Sequence, residues 1–502
     1  MRTQETVTVY IYMHAYMLLM LRYMLSNSLH TDLKVHSKST MPNNPDRLKG
    51  TSIASSVLDL IGNTPIVMLP RLMESENLSC ILAVKTETTN PGGSSKDRPA
   101  LEMILDAERK GLLKPGGVIV EPTSGNTGVG LAIVAAQRGY KCIFVTTDKV
   151  APEKIALLKA YGSEVVVCPV AVDPSDARSY YSVALRITEE LSAYRPNQYE
   201  NPANPAAHEN TTGPEIWEQT AGRITHFVAG AGTSGTVTGV ARFLKSKNPN
   251  IKIIVGDPDR SLFSGGNGRP YLVEGVGEDF YPAAWQPDLY DQIIPVTDKE
   301  SFLVARKVSS EEGLLIGGSG GLAMAAALRV AKDALPSDLI VVLNPDSGRG
   351  YLSRVYDDVW MSQNGFISQE GLTVSLLLSE KKELLYVSPE TTTGESVDIM
   401  QKYNISQMPV CVGTAPFVPL EILGSIQEVD MLSQRDHDDK EWLSRPVKDI
   451  MRKPLPTIGV GELIKDAAQR LDSTNALMVL DGGRSVGILS RSDILSWYRS
   501  QG

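Results

Sequence analysis

Between about Ser52 and Met361, short runs rich in Val and Ile alternate with segments whose apolar residues recur at helical spacing. The runs CILAVKTE, GGVIVEPT, CIFVTTD, SEVVVCPV, HFVAGAG, IKIIVGD and LIVVLNPDS end in turn residues and predict strands. The segments RPALEMILDAERKGLL, GVGLAIVAAQRGY, EKIALLKAYG and TVTGVARFLKSK predict the helices between them. Such alternation builds a parallel sheet covered by helices on both faces, so the expected class is α/β. Ligands on such sheets bind beyond the carboxyl ends of the strands. The glycine-rich loops of this chain follow strands, which places them there.

Past MSQNGFISQEG (Met361 to Gly371) the texture changes. Segments near Val374–Ser433 and Val447–Tyr498 each have the pattern of a small βαβ unit. They close on related phrases, LGSIQEVDML and VGILSRSDIL. A repeat of about 60 residues that occurs twice predicts a paired module rather than a solenoid. The expected division is an N-terminal extension over 1–48, an α/β domain over 49–362, a linker over 363–373, and module halves over 374–434 and 447–502. The extension carries VYIYMHAYMLLML followed by Arg22. That run is short for a membrane span and lacks a small-residue cleavage site. It reads as dispensable or disordered, with an organelle presequence and a translation start near Met41 both open.

A length of 502 residues suits two or three domains, and 42% hydrophobic with 21% charged residues is ordinary for a chain with a substantial core. The net charge of −9 argues against broad nucleic-acid binding, which needs a basic footprint. No stable membrane association is expected. Cys80, Cys142, Cys168 and Cys411 form no CxxC pair and no metal spacing. They read as buried thiols in a reducing compartment, with the cytoplasm the expected location and no metal site.

Four loops carry side chains suited to chemistry. In NPGGSSKDRPA, Lys96 stands where a helix begins. It is either a solvated charge beside a capped helix start or a lysine held in a pocket as a Schiff-base nucleophile. In EPTSGNTGVGLA, hydroxyls, an amide and backbone N–H groups at a helix start suit an anion such as a carboxylate, and equally a plain capped turn. In VAGAGTSGTVTG, Gly230, Gly232 and Gly235 fit a dinucleotide fingerprint, with Asp257 as the ribose acid. The Thr233–Thr236 run fits a cup for one phosphate monoester as well. In NPDSGRG, Ser347 follows a very apolar strand, where its hydroxyl can meet a ring nitrogen or make an ordinary turn. Together the four loops pick out one ligand and its substrate. Pyridoxal phosphate needs a lysine, a phosphate cup and a ring-nitrogen partner, and an amino-acid carboxylate needs the EPTSGNTG loop. A nicotinamide would leave Lys96 and the TSGNTG loop without a role.

IGNTP (Ile61–Pro65), NPGGSSKDR, EPTSGNTG, the Gly-Thr cup, VEGVGEDFYP (Val273–Pro282) and PDS resemble the fold-type II pyridoxal-phosphate enzymes of β-replacement. The haem-free, bacterial-type cystathionine β-synthase family is the nearest resemblance, over roughly residues 50–365. The tail resembles a tandem of CBS domains.

The resemblance implies a tryptophan synthase β-like core of two subdomains and a PLP-dependent lyase that joins L-serine to L-homocysteine. Cysteine synthase or serine sulfhydrylase, hydrogen sulfide generation, and a nucleotide sensor with a dead catalytic domain are the alternatives. It implies that Lys96 binds the cofactor and shuttles the Cα proton, that Asn126 bonds the ring hydroxyl, and that Ser347 faces the pyridine nitrogen. Gly232, Thr233, Ser234, Gly235 and Thr236 would hold the phosphate. Thr123, Ser124, Thr127, Gln198, Tyr199 and Gly275 would bind substrate. Ser490 and Asp493, with Asp430 in the first copy, would hold a regulatory adenosine ribose, S-adenosylmethionine being the implied ligand. Gln427 replaces the hydroxyl in that first copy. Ser234 stands where the family commonly has glycine, and Glu278 where some relatives carry tyrosine. His14, His30 and His36 precede the core but no cysteine does before Cys80, so no haem is expected. A homodimer or homotetramer is the implied assembly.

Overall fold

The computed structural model describes residues 53–123, 125–148, 150, 152–169, 176–378, 384–433 and 441–500. The extension over 1–48 and Ser124 lie outside the described residues. The described residues from Ser56 onward form one compact unit.

Among the described residues nine strands belong to the catalytic part: β1 (Ile66–Met68), β2 (Ile81–Thr86), β3 (Val118–Pro122), β4 (Lys141–Thr147), β5 (Glu164–Cys168), β6 (His226–Gly230), β7 (Lys252–Pro258), β8 (Gln292–Val296) and β9 (Leu339–Asn344). They form two sheets. The larger has the order β1-β2-β9-β6-β7-β8 and is parallel except for the edge strand β1; the smaller is parallel, in the order β3-β4-β5.

The alternation of side chains along each strand explains why both faces of the larger sheet are covered. Val228, Ile254, Ile340 and Val342 point to one face and pack with Leu322, Ala326 and neighbours on the helix Gly318–Lys332. Phe227, Ala229, Ile253, Val255, Val341 and Leu343 point to the other, against Val237, Val240 and Leu244 of the helix Gly235–Lys247. The smaller sheet packs Ile119 and Phe144 on Leu131 and Val134 of the helix Asn126–Arg138 and on Ile104 of the helix Asp97–Arg109.

All seven runs read as strands are strands. Missed by the pattern are β1, β8 and the helices Pro70–Ser75, Tyr180–Glu190, Ala203–Asn210, Thr212–Gln219, Asp298–Glu312, Gly318–Lys332 and Asp358–Gln363. β8 carries Pro295, which a sheet accepts there because β8 lies at an edge. The Gly318 helix opens GSGG, a turn-like composition. Small residues are needed because a Cβ at Gly321 would sit 2.0 Å from the Ser301 carbonyl.

The tail holds β10 (Gln407–Cys411) paired antiparallel with β11 (Ile422–Gln427), then β12 (Thr457–Gly459), β13 (Ala476–Asp481) and β14 (Arg484–Ser490) in one sheet. Packing crosses the expected segment bounds. Val374 lies among Ile458, Ile464, Val479 and Ile494 of the second half, held by the Val374 amide on the Glu462 carbonyl. Val447 lies among Met400, Val410 and Ile426 of the first half. Each half completes its core with a segment from beyond its own stretch of chain, because two or three short strands cannot bury an apolar face alone.

The tail is joined to the catalytic part by charge. The buried Glu421 carboxylate accepts from Arg260 Nη1 at 3.0 Å and from Arg269 Nε at 2.6 Å.

Candidate active site

β2, β9 and β6 are neighbours running in the same direction, so their carboxyl ends and the loops beyond them converge. A cavity of about 1900 Å³ opens there, between the two sheets. Lys96, Thr123, Asn126, Thr127, Gln198, Tyr199, Gly232 to Thr236, Gly275 and Ser347 all line it. Pro419, Leu420, Ile422, Leu423 and Pro454 of the tail line it too.

Lys96 takes the N-cap position of the helix Asp97–Arg109, and its amide donates to Ser94 Oγ at 3.2 Å. The loop before it is fixed by Asn90, whose side-chain amide donates to the carbonyls of Glu87 and Ser94. Burial lowers the pKa of the Lys96 amine. The carboxylates of Asp346, Glu278 and Glu87 oppose that only through space. Asp97 is enclosed beneath this turn, and burial pushes its carboxyl up to about 7. The Ser95 hydroxyl is buried with no partner among the described residues. Lys96 is thus an amine with a depressed pKa at a cavity wall rather than a solvated charge, as a nucleophile reading of the loop requires.

The cup is residues 231–236, between β6 and the helix Gly235–Lys247. Glycine is required at Gly232, where a Cβ would sit 2.8 Å from the Gly275 carbonyl, and at Gly235, where it would sit 2.1 Å from Asn204 Oδ1. Ser234 has φ = 64°, a left-handed conformation that costs a non-glycine residue about 1 kcal/mol. That strain is the physical reason glycine suits this position. Asp257, the ribose acid of the fingerprint reading, is fully enclosed and accepts from the Ser264 amide at 2.9 Å, so it faces no ligand.

Asn126 opens the helix Asn126–Arg138, and its Nδ2 donates to Asp346 Oδ2 at 2.9 Å. Tyr351 donates to the same oxygen at 2.8 Å. Asp346 Oδ1 is buried without a partner among the described residues, and burial raises the carboxyl's pKa. Ser347 caps the short turn Gly348–Tyr351 through the Arg349 amide, and its hydroxyl lies 3.5 Å from the Leu315 carbonyl.

The loops that carry Thr127 and Gln198 meet at the cavity. Thr127 Oγ1 donates to Gln198 Oε1 at 2.7 Å. The amides of Asn197 and Gln198 both donate to the buried Glu121 carboxylate, at 2.9 and 3.2 Å, and burial pushes that carboxyl up to about 6. The sequence reading missed Glu121, although it directly precedes the PTSGNTG loop. Glu278 reaches the cavity beside Tyr199, and burial pushes it up to about 7. Gly275, at φ = 79°, is exposed at the rim with nothing within 4 Å of where a Cβ would stand.

Residues 57–346 match the family model described as pyridoxal-phosphate dependent enzyme, and residues 380–415 and 447–500 match the CBS domain. The chain belongs to the pyridoxal-phosphate dependent enzyme family. It is 40% identical over 400 residues to cystathionine beta-synthase of Oryctolagus cuniculus, covering 77% of this chain and 72% of that one. It is 43% identical over 300 residues to cysteine synthase of Staphylococcus aureus, covering 59% of this chain and 95% of that one. A crystal structure of O-ureido-L-serine synthase matches with TM-score 0.58 at 37% identity, covering 65% of this chain and all of that one.

The residues present suit the cofactor of pyridoxal-phosphate dependent enzymes. The cavity wall carries an amine with a lowered pKa, a cup whose glycines leave no room for side chains, and polar side chains turned inward from four loops. Lys96 can hold the aldehyde, 232–236 the phosphate, Asn126 the ring hydroxyl and Ser347 the ring nitrogen.

The expected nucleotide residues sit apart from this cavity. Asp493 Oδ2 accepts from the Ser490 amide at 2.7 Å and from its hydroxyl at 2.5 Å, capping the last helix. Asp430 lies in the helix Glu428–Ser433, and its side chain is outside the described residues. Gln427 meets Asn475 across the two halves at 3.3 Å.

Proposed function

We propose that this enzyme catalyses β-replacement, condensing L-serine with L-homocysteine to L-cystathionine and water. The observation that carries the reading is Lys96, whose amine is depressed by burial at the wall of a cavity shared by four converging loops. Pyridoxal phosphate, when bound, supplies the aldehyde that takes the substrate amine and the conjugated ring that spreads charge from Cα. Thr123, Thr127 and Gln198 receive the substrate carboxylate, with Ser124 assigned by its place in the same loop. Tyr199 and Gly275 bound the substrate space. The Lys96 amine would take the Cα proton and return a proton to the hydroxyl departing from Cβ, which leaves as water while the homocysteine sulfur takes its place on Cβ. Ser347 offers the ring nitrogen a neutral hydroxyl rather than a charge.

The likeness to a cysteine synthase favours a second reading, in which sulfide replaces homocysteine as nucleophile. A product assay separates them: serine or O-acetylserine is offered with homocysteine or sulfide, and cystathionine is the product expected. Cysteine formed from sulfide, without cystathionine from homocysteine, would favour the second reading.

The paired CBS domains bind an adenosine nucleotide at Ser490 and Asp493, with S-adenosylmethionine the proposed ligand. Calorimetric titration of the full chain with S-adenosylmethionine tests this, and absence of heat refutes it. A homodimer or homotetramer in the cytoplasm is the proposed state. Among the described residues no helix is long and apolar enough to cross a membrane.

A further inference from the structure

The helix Ala203–Asn210 contributes nothing to the assignments above, yet it lies directly behind the cup. Two of its side chains, one turn apart, meet two threonines of the cup. Asn204 Nδ2 lies 2.9 Å from Thr233 Oγ1, and His208 Nε2 lies 3.1 Å from Thr236 Oγ1. Both are buried, His208 completely. The approach depends on missing side chains, since a Cβ at Gly239 would fall 2.2 Å from the Pro205 carbonyl.

The direction of each hydrogen bond follows from what its partners can do. Asn204 Nδ2 also lies 2.8 Å from the Gln198 carbonyl, which only accepts. The nitrogen is therefore the donor to Thr233 Oγ1, and the Thr233 proton is free to point elsewhere. His208 is less constrained, because its other nitrogen, Nδ1, lies 2.9 Å from the Thr212 hydroxyl, which can donate or accept. Burial and the positive charges of Arg98 and Lys96 keep the imidazole neutral against the opposing pull of Glu215, so it carries one proton on one of its two nitrogens. With the proton on Nδ1, Thr236 would donate to Nε2 and turn only lone pairs to the cup. A phosphate is all acceptors, so that arrangement sets oxygen against oxygen.

We infer that His208 keeps its proton on Nε2 and donates it to Thr236 Oγ1. Thr236, like Thr233, then turns its own hydrogen onto a phosphate in the cup. Thr212 donates to Nδ1 and holds the ring in that tautomer. His208 is a positioning residue, and with Asn204 it makes the helix Ala203–Asn210 a layer of donors behind both threonines. This rests on the reading that 232–236 hold the cofactor phosphate.

The test is long-range proton–nitrogen NMR on the full-length, pyridoxal-phosphate-loaded protein with labelled histidine. The chain has six histidines, and the His208 signal is the one missing from H208Q. Protonation at Nε2 alone is expected; protonation at Nδ1, or at both nitrogens, overturns the inference. Pyridoxal phosphate titrated into the apoprotein gives a second readout. H208Q, which keeps an amide donor, binds within about threefold of wild type, whereas H208L binds roughly ten- to thirtyfold more weakly. In a T236V background H208L causes no further loss. Equal affinity of H208L and wild type would overturn the inference. If wild type itself takes up no pyridoxal phosphate, the functional reading fails, which is a different result from a wrong tautomer in a loaded protein.

Discussion

Thr127 and Gln198, which both line the cavity, are joined by a 2.7 Å hydrogen bond, although 71 positions separate them in the chain. The bond aligns two side chains assigned to one carboxylate. Thr127→Val removes the donor while keeping the shape. The KM for serine should rise about tenfold, or ~1.4 kcal/mol, with kcat changed less. An unchanged KM would remove Thr127 from the carboxylate site.

Lys96→Ala should lower turnover by about a thousandfold or more, since the nucleophile and the proton carrier are lost together. Borohydride treatment with pyridoxal phosphate should add the mass of one cofactor to wild type and nothing to the variant. Retained β-replacement in the variant would contradict the assignment.

Glu121 gives a stability difference with a defined sign. Its folded pKa of about 6 lies above its ordinary value of 4.5. Its contribution is therefore fully present below about pH 4.5 and is lost as pH rises through 6. Glu121→Gln does not ionise. Between about pH 4 and about pH 8, the difference in unfolding free energy should move by roughly 2 kcal/mol in favour of the glutamine variant. A flat difference would show that Glu121 titrates normally.

Ser234→Gly relieves the left-handed backbone at φ = 64°. Its thermal midpoint should rise by about one degree, corresponding to about 1 kcal/mol in a unit of this size. A lower midpoint would mean that the Ser234 hydroxyl, 3.4 Å from the Gly232 carbonyl, outweighs the strain.

Glu421→Ala leaves the guanidiniums of Arg260 and Arg269 without their shared carboxylate. Breaking a buried pair by removing one partner costs about 3–5 kcal/mol. Limited proteolysis should cut the tail from the catalytic part at lower protease concentration than in wild type. Equal resistance would mean that other contacts hold the tail.

The periodicities of strand and helix, the four loops and the repeated tail are local patterns, and they were legible because each is written in consecutive residues. Lys96 at a helix start, the crowded Gly-Thr cup and Ser347 after an apolar strand are visible for that reason. The helix Ala203–Asn210 was not visible, because ANPAAHEN has no apolar stripe and forms a helix only against the one that begins at Gly235. β8 was hidden by Pro295, which is acceptable only once β8 is known to be an edge.

By itself the chain determined the α/β class, the paired tail and the residue types lining the cavity, since side-chain chemistry and period are properties of neighbouring residues. Only tertiary structure decided that Glu121 holds the Gln198 loop, that Asp346 holds Asn126, and that His208 stands behind Thr236. Those relationships join residues far apart in the chain. They depend on burial and on which strands lie side by side, and neither quantity exists until the sheet has formed.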